Sequence, residues 1–450
     1  MIELGGYVTD VPYVLGFKPM VAPAWLDHVA LLWGYEPPAR DAGFTWCDLG
    51  CGQGVTAAIL AATHPGGTFY GIDAMPVHIA HARRLADAAG IGNVTFEAAD
   101  FTAAAELSLP RFDYIVAHGV YTWVDEPTRA ALRAFIDRHL APGGLVYISY
   151  NAMPGWLSDL PFQRLARELG AAAPGDGAAR FAAAAAIIDD LAAADTPALQ
   201  SSYILRELAQ HPQDYPAGYL VHEFMHAGWE ALYVTDVRRA FAKIGLWPVG
   251  SATLLENFDL WLLGRKKLAL IDAIADPNLR ELVRDFVIDQ RLRCDVFARD
   301  CAVLDETEQR RRLLDRTYAL TRPQAAVAFE TSTPAGRLIC RNKAATAIVA
   351  ALANGPRPLA AIAARIADAD LLANALLLCT TGDIRPVEPT RAPVAVLNQV
   401  LRGRLGGPEE IAVLALPCGT ALDIDHTLRG LLGGADQGSD WPAFLSSHGC

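Results

Sequence analysis

The chain lacks an apolar run of the roughly 20 residues needed to cross a bilayer, and no basic start leads into a short apolar segment. These absences predict a cytoplasmic protein with no membrane insertion. Its eight cysteines include no C-x-x-C pair and are scattered from Cys47 to Cys450, so they read as reduced thiols. Cys47 and Cys51 are expected to be small packing residues. A basic stripe is missing too. The net charge is −12, and the one basic run, Arg310-Arg311-Arg312 with nearby Arg316, has a helical spacing that spreads it over several faces. That pattern suits a solvated surface and argues against a nucleic-acid partner. Two phosphate-binding signatures are also absent near the main glycine cluster, the dinucleotide G-x-G-x-x-G and the P-loop G-x-x-x-x-G-K-[ST].

What stands there instead is Cys47-Asp48-Leu49-Gly50-Cys51-Gly52-Gln53-Gly54. A strand-like approach, Phe44-Thr45-Trp46, meets an acid, then glycines at every second position, then an apolar helix from Val55 to Ala62. Side chains at those glycines would keep a ligand off the backbone, and part of such a turn needs positive φ. The N–H groups at the helix start point at whatever lies there, which suits a nucleotide-type ligand. Three more strand-like runs follow. Thr68–Asp73 ends in an acid, Val94–Asp100 ends in another with Phe101 next to it, and Phe112–Ala117 leads to His118-Gly119. Pro142-Gly143-Gly144 then turns into Leu145–Ser149 as a fifth.

This order resembles the class I S-adenosylmethionine (AdoMet) methyltransferases, with D-L-G-C-G-x-G as motif I. The resemblance implies an α/β fold with a Rossmann-like sheet, and AdoMet as cofactor. It places Asp48, Gly50, Cys51 and Gly52 along the cofactor, Asp73 with Ala74 at the ribose hydroxyls, and Asp100 with Phe101 at the adenine. A carboxylate can accept from both ribose hydroxyls at once. His118, at the end of strand four, is expected to reach both the cofactor and the acceptor.

At 450 residues the chain should hold two or three cores. The expected units are an N-terminal helical cap (1–40), the AdoMet-binding core (41–155), a helical insertion or lid (156–229), the end of the core sheet with a further region (230–300), and a C-terminal domain (301–450). In the cap, Trp25 to Trp33 forms an amphipathic helix that either covers the cofactor or packs on the back of the sheet. Trp247–Leu254 and Phe258–Leu263 read as the two strands that finish the sheet. The insertion would then lie over the carboxyl ends of the strands, where open α/β sheets bind ligands. Helical patterns at Ala344–Asn354, Leu359–Ala367 and Ala369–Cys379, with a strand at Gly382–Pro386, give the C-terminal domain a winged-helix-like α+β arrangement.

Tyr219–Phe224, Tyr233–Ala252, Arg284–Phe286 and Arg293–Phe297 resemble a narrower group, which carries a methyltransferase regulatory domain. Its characterised members are bacterial protein-lysine methyltransferases acting on outer-membrane proteins. The resemblance implies methyl transfer to lysine side chains of a protein substrate. Many amine methyltransferases carry an Asn/Asp-Pro-Pro-aromatic stretch after strand four. This chain has His118-Gly119-Val120-Tyr121 instead. His118 and Tyr121 are therefore the expected acceptor-positioning pair, with Trp123, Tyr150 and Asn151 as second choices. The alternatives are a small-molecule or saccharide O- or N-methyltransferase and a non-catalytic AdoMet-binding regulator. The intact acids and glycines argue against the latter.

His222-Glu223-Phe224-Met225-His226 matches the zinc-protease pattern H-E-x-x-H, with Glu256 available as a third ligand. Gly228 interrupts the helix just after it, and the regulatory-domain resemblance already accounts for the segment. A histidine–acid pair at a domain junction, with no metal, is the expectation.

Overall fold

The computed structural model describes residues 7–11, 13–211, 215–363, 370–389, 392–407, 410–432 and 440–449. After a helix α1 (Pro23–Leu32) come β1 (Phe44–Leu49), α2 (Val55–Thr63), β2 (Gly67–Asp73), α3 (Pro76–Ala88), β3 (Val94–Ala98), α4 (Phe101–Ala105), β4 (Phe112–Ala117), α5 (Glu126–His139) and β5 (Leu140–Asn151). Four helices follow: α6 (Leu160–Ala172), α7 (Gly177–Ala193), α8 (Tyr203–Gln210) and α9 (Ala217–Phe224). The chain then returns through α10 (Val234–Ala242), β6 (Trp247–Ser251), α11 (Asp259–Asp272), α12 (Pro277–Ile288) and β7 (Leu292–Ala298). The seven strands form one sheet in the order β3-β2-β1-β4-β5-β7-β6, with β7 antiparallel to both neighbours. The order reverses beside β1, and the carboxyl ends of β1 and β4 flank the resulting crevice.

One expected strand is a helix. Phe258–Leu263 lies at the start of α11, where Leu262 and Leu263 are buried while Leu260 is half exposed, a one-sided burial that suits a helix. The last strand is β7. Arg293 and Asp295 interrupt its apolar pattern, yet both are almost fully buried. The guanidinium of Arg293 reaches Asp285 at 2.5 Å, Glu281 at 2.8 Å and Asp295 at 3.0 Å, which makes the burial tolerable.

The tryptophan helix does not cover the cofactor. α1 lies between one face of the sheet and the C-terminal region, with Asp27 accepting from Tyr114 at 2.6 Å and pairing with Arg40 and Arg316. Trp25 donates its indole N–H to Ala252 at 2.9 Å. Arg316 is therefore half-buried and structural, unlike Arg311, which stays exposed and pairs with Glu308 and Asp315.

Insertion helices α6 to α9 build a separate aromatic core around Phe162, Phe181 and Phe224, which also takes in Trp123 from beyond β4. The C-terminal region has a three-stranded sheet, Arg357–Pro358, Thr317–Leu320 and Ile384–Val387, with helices Lys343–Leu352, Leu359–Ala363 and Leu371–Thr380. Residues 364–369 of the expected second and third helices lie outside the described residues, as does Cys450. The C-terminal region packs mainly against α1, α2 and α3. No helix among the described residues is long and apolar enough to cross a membrane.

Candidate active site

Pairing of β1 with β2 sets Asp48 opposite Gly71 and Leu49 opposite Ile72, so Asp48 and Asp73 end up near each other at the strand ends. The turn after β1 is held by Gly50 and Cys51, whose N–H groups both donate to Ile72 O at 2.8 and 3.1 Å. Gly50, Gly52 and Gly54 all have positive φ, from +53° to +78°. They differ in what a side chain would meet. A Cβ at Gly50 would clash with Val120 and one at Gly54 with Ala82 and Phe96, whereas at Gly52 it would enter open space. The steric cost at Gly50 therefore falls on Val120 rather than on the ligand directly. Gly50→Val is expected to displace Val120 and the turn, and to weaken AdoMet binding at least about tenfold (~1.4 kcal/mol), measured by calorimetry on the folded protein.

Asp73 organises the floor. Its carboxylate accepts from Gly52 N–H and Met75 N–H, both at 2.9 Å, and from His78 Nδ1 at 3.1 Å. Tyr13 N–H donates to the other His78 nitrogen at 3.4 Å, which assigns the proton to Nδ1. Asp100 caps α4 through Ala103 N–H at 2.8 Å and is exposed towards the cleft.

A cavity of about 290 Å³ lies above this turn. Asp48, Gly50, Cys51, Gly52, Asp73, Ala74, Asp100, Phe101 and His118 all line it, so the structure brings every expected cofactor residue to one place. Its roof comes from within the expected N-terminal cap (1–40), but from the segment ahead of α1 rather than from the helix. A strap of residues 7–11 and 13–18 crosses over the turn, with Tyr13 O accepting from Gln53 at 2.6 Å and Lys18 N–H donating to Thr56 at 3.1 Å. Nothing in its composition marks it as a cover.

The H-E-x-x-H residues hold the strap down. Val8 N–H donates to His226 Nδ1 at 2.9 Å, the two imidazoles meet at 3.3 Å, and His222 Nε2 reaches Val11 O at 2.8 Å. All four ring nitrogens are thereby engaged in one chain of hydrogen bonds. Burial pushes His222 down to about 4, so the pair is neutral at ordinary pH. Glu223 points elsewhere, and Glu256 is bonded to Ser251 and Gln290.

A second cavity of about 300 Å³ adjoins the first, and Tyr13, Lys18, His118 and Trp123 line both. His118 thus stands where they meet. Its Nδ1 lies 2.8 Å from the Tyr147 hydroxyl and 3.3 Å from Ser149 Oγ, so neighbours engage Nδ1 and Nε2 is the ring nitrogen left for a ligand. Burial, reinforced by the Lys18 ammonium, lowers His118 to about 3, so the ring is neutral throughout the useful pH range. Trp123, Tyr150 and Asn151, the second choices, line this cavity. Tyr121 does not. It is buried in the core beneath α5 and α10, against Phe241, with its hydroxyl accepting from Arg133 at 2.6 Å. Two residues beyond Gly119 the chain has already turned back under the sheet end, so Tyr121 is corrected from an acceptor-positioning residue to a core residue.

The donor set fits AdoMet. That molecule carries two cations, the sulfonium and an ammonium, one carboxylate, and donors on its ribose and adenine. The first cavity offers three carboxylates, Asp48, Asp73 and Asp100, and Lys18 as the one lysine or arginine among the described residues lining it. Burial, with Asp73 nearby, pushes the Asp48 carboxyl up to about 8. A cationic ligand favours the ionised form, so binding should expel that proton. Below about pH 8, AdoMet affinity is expected to rise with pH by up to about tenfold per unit, then level off. Calorimetry in two buffers of different ionisation enthalpy measures the released proton.

Comparison with known proteins agrees. A methyltransferase domain model matches residues 40–173, and a predicted methyltransferase regulatory domain matches residues 216–299. An uncharacterized protein of Synechocystis sp. is 30% identical over 461 residues, spanning 99% of this chain and 91% of its own length. A trans-aconitate 2-methyltransferase of Methylobacterium nodulans is 37% identical over 139 residues, 31% of this chain and 48% of that protein. Among solved structures, PKMT2 from Rickettsia typhi in complex with AdoHcy matches over 97% of this chain and 91% of that one, with a TM-score of 0.69 at 19% identity, a likeness of fold. The chain belongs to the class I AdoMet-dependent methyltransferases in which a methyltransferase regulatory domain follows the core.

Proposed function

We propose that this methyltransferase transfers methyl groups to lysine side chains of a protein. The observation that carries the reading is the second cavity. It joins the cofactor cavity at His118, and its walls are aromatic, with Tyr13, Trp123, Trp156, Tyr203 and Tyr219 among them. AdoMet supplies a methyl on a sulfonium, already activated for in-line displacement, so the protein's task is positioning and exclusion of water. An ammonium has no lone pair, and a dry aromatic wall favours the neutral amine that does. The same ring faces attract the methylated cation that forms. With the ring proton on Nδ1, His118 Nε2 accepts one amine N–H and so aims the nitrogen lone pair. Asp73 holds the ribose, Asp100 the adenine and Lys18 the cofactor carboxylate.

A second reading has one observation behind it. Lys18 and Arg291 both line the second cavity and suit an acceptor carboxylate, the kind of group that the name of the trans-aconitate relatives implies. Glu223, buried on the same wall, would repel such an anion. Incubation with methyl-labelled AdoMet and a lysate of the host separates the two. The lysine reading expects label in precipitated protein. Label confined to small molecules would contradict it.

A further inference from the structure

Among the described residues lining the second cavity Glu223 is the one carboxylate, and only 4% of it is exposed. α9 presents it to the strand end, where Asn151 Nδ2 and Trp229 Nε1, the latter at 3.2 Å, both donate to Oε1. The Trp123 indole and the Tyr219 ring line the same cavity wall. Every one of these groups is neutral. Among the described residues no lysine, arginine or histidine forms an ion pair with Glu223, whereas other deeply buried acids, such as Asp285 and Asp159, have an arginine at 2.5 Å. Burying an acid without a counter-ion is costly, and desolvation accordingly raises the Glu223 carboxyl above its usual range. A site that keeps such a group on the wall of an open cavity gains stability when a cation enters it.

The surrounding rings describe the shape of that cation. Tyr13 and Trp123 meet edge to face with centroids 5.1 Å apart, forming a corner beside the carboxylate, and Tyr219 extends the wall along the same helix as Glu223. Aromatic faces inclined at 68° with a carboxylate behind them suit an alkylammonium, whose charge is spread over its N–H and N-methyl groups. A neutral hydroxyl gains nothing comparable there.

We propose that Glu223 is the anchor for the acceptor amine. It receives the alkylammonium end of the substrate between Tyr13, Trp123 and Tyr219, and takes up one proton from it. The inference rests on the amine-methylation reading and adds the group that selects a cation. The proton passes from nitrogen to carboxylate, leaving a neutral amine beside a neutral acid, the form that a low dielectric favours over a separated charge pair. The amine lone pair then forms the N–C bond as the S–C bond breaks and its electrons stay on sulfur. The product is a secondary ammonium, and Glu223 returns its proton to solvent, one proton released per methyl transferred. Because Glu223 acts before the methyl moves, its loss should spare cofactor binding.

The test uses butyltrimethylammonium, which copies a trimethylated lysine side chain and cannot titrate, against 1-pentanol as a neutral chain of similar length. Both are added to the full-length protein saturated with AdoHcy, and binding is read from tryptophan fluorescence, since Trp123 and Trp156 line the cavity. The wild type should bind the cation and show no saturable response to the alcohol. Glu223→Gln keeps an acceptor for Asn151 and Trp229, and should bind the cation at least about tenfold more weakly with AdoHcy affinity within about twofold. Its rate of labelling protein in host lysate should fall by at least the same factor. Equal cation affinity in Glu223→Gln would overturn the proposal, and so would a wild type that does not prefer the cation to the alcohol, an outcome that needs no variant. The reading beneath it fails separately. If wild type labels lysines and Glu223→Gln labels them at the same rate, the anchor is wrong and lysine methylation stands. If the cation binds through Glu223 but no lysine is labelled, the cation site stands and the acceptor belongs to another class of amine.

Discussion

Asp73→Ala is expected to weaken AdoMet binding at least about a hundredfold, ~2.7 kcal/mol. Two losses point the same way. The first is direct: charge-assisted hydrogen bonds to the ribose are worth about 1.5–3 kcal/mol each, and they disappear with the carboxylate. The second is structural, because Asp73 holds Gly52 N–H, Met75 N–H and His78, and His78 in turn carries the Tyr13 N–H of the strap. Removing one side chain thus loosens both the floor and the roof of the cavity. Asp73→Asn keeps an acceptor oxygen and should fall between the two. Calorimetry gives the affinities, and thermal melting shows that the fold persists. Wild-type affinity in a folded Asp73→Ala protein would remove Asp73 from the cofactor site.

His118→Ala should lower kcat/KM for the acceptor by at least about a hundredfold, the usual scale for a group that orients or accepts a proton at the reacting centre. AdoHcy affinity should stay within about threefold, because the imidazole borders the cofactor cavity only where it opens into the second. Tyr121→Phe is the matching control. It removes the hydroxyl that accepts from Arg133, away from both cavities, and should cost about 1 kcal/mol of stability with turnover unchanged. The two residues were equal candidates on sequence spacing, so opposite outcomes would separate site from core. With His118 neutral above about pH 3, its own titration should leave no step in the pH profile of the rate.

The cofactor site was legible because its chemistry is local. Asp48, the glycines, Asp73 and Asp100 each sit at the end of an apolar strand, and parallel pairing of those strands brings them together without help from the rest of the chain. The acceptor side was not legible in the same way. Glu223, Tyr13 and Tyr219 come from the insertion and from the strap, far apart in sequence, and only the packing of α9 against the end of β5 unites them. The pattern H-E-x-x-H was visible, but its use was not. The histidines are consumed by backbone groups of the strap, which no spacing rule predicts. β7 was hidden for a different reason. Its two charged residues look like a break in an apolar strand until α12 supplies Asp285 to neutralise Arg293. Phe258–Leu263 shows the reverse, an apolar run whose period could not be judged over six residues.

The most direct measurement is the chemical identity of the transferred label. Wild-type protein and His118→Ala are incubated with methyl-labelled AdoMet and host lysate, and the precipitated protein is treated with mild base and then hydrolysed in acid. Base-stable label that co-migrates with N-methylated lysines is expected in the wild-type reaction, and nearly none with His118→Ala. Label released by base as methanol, the signature of a carboxyl ester, or label unaffected by the loss of His118, would contradict it.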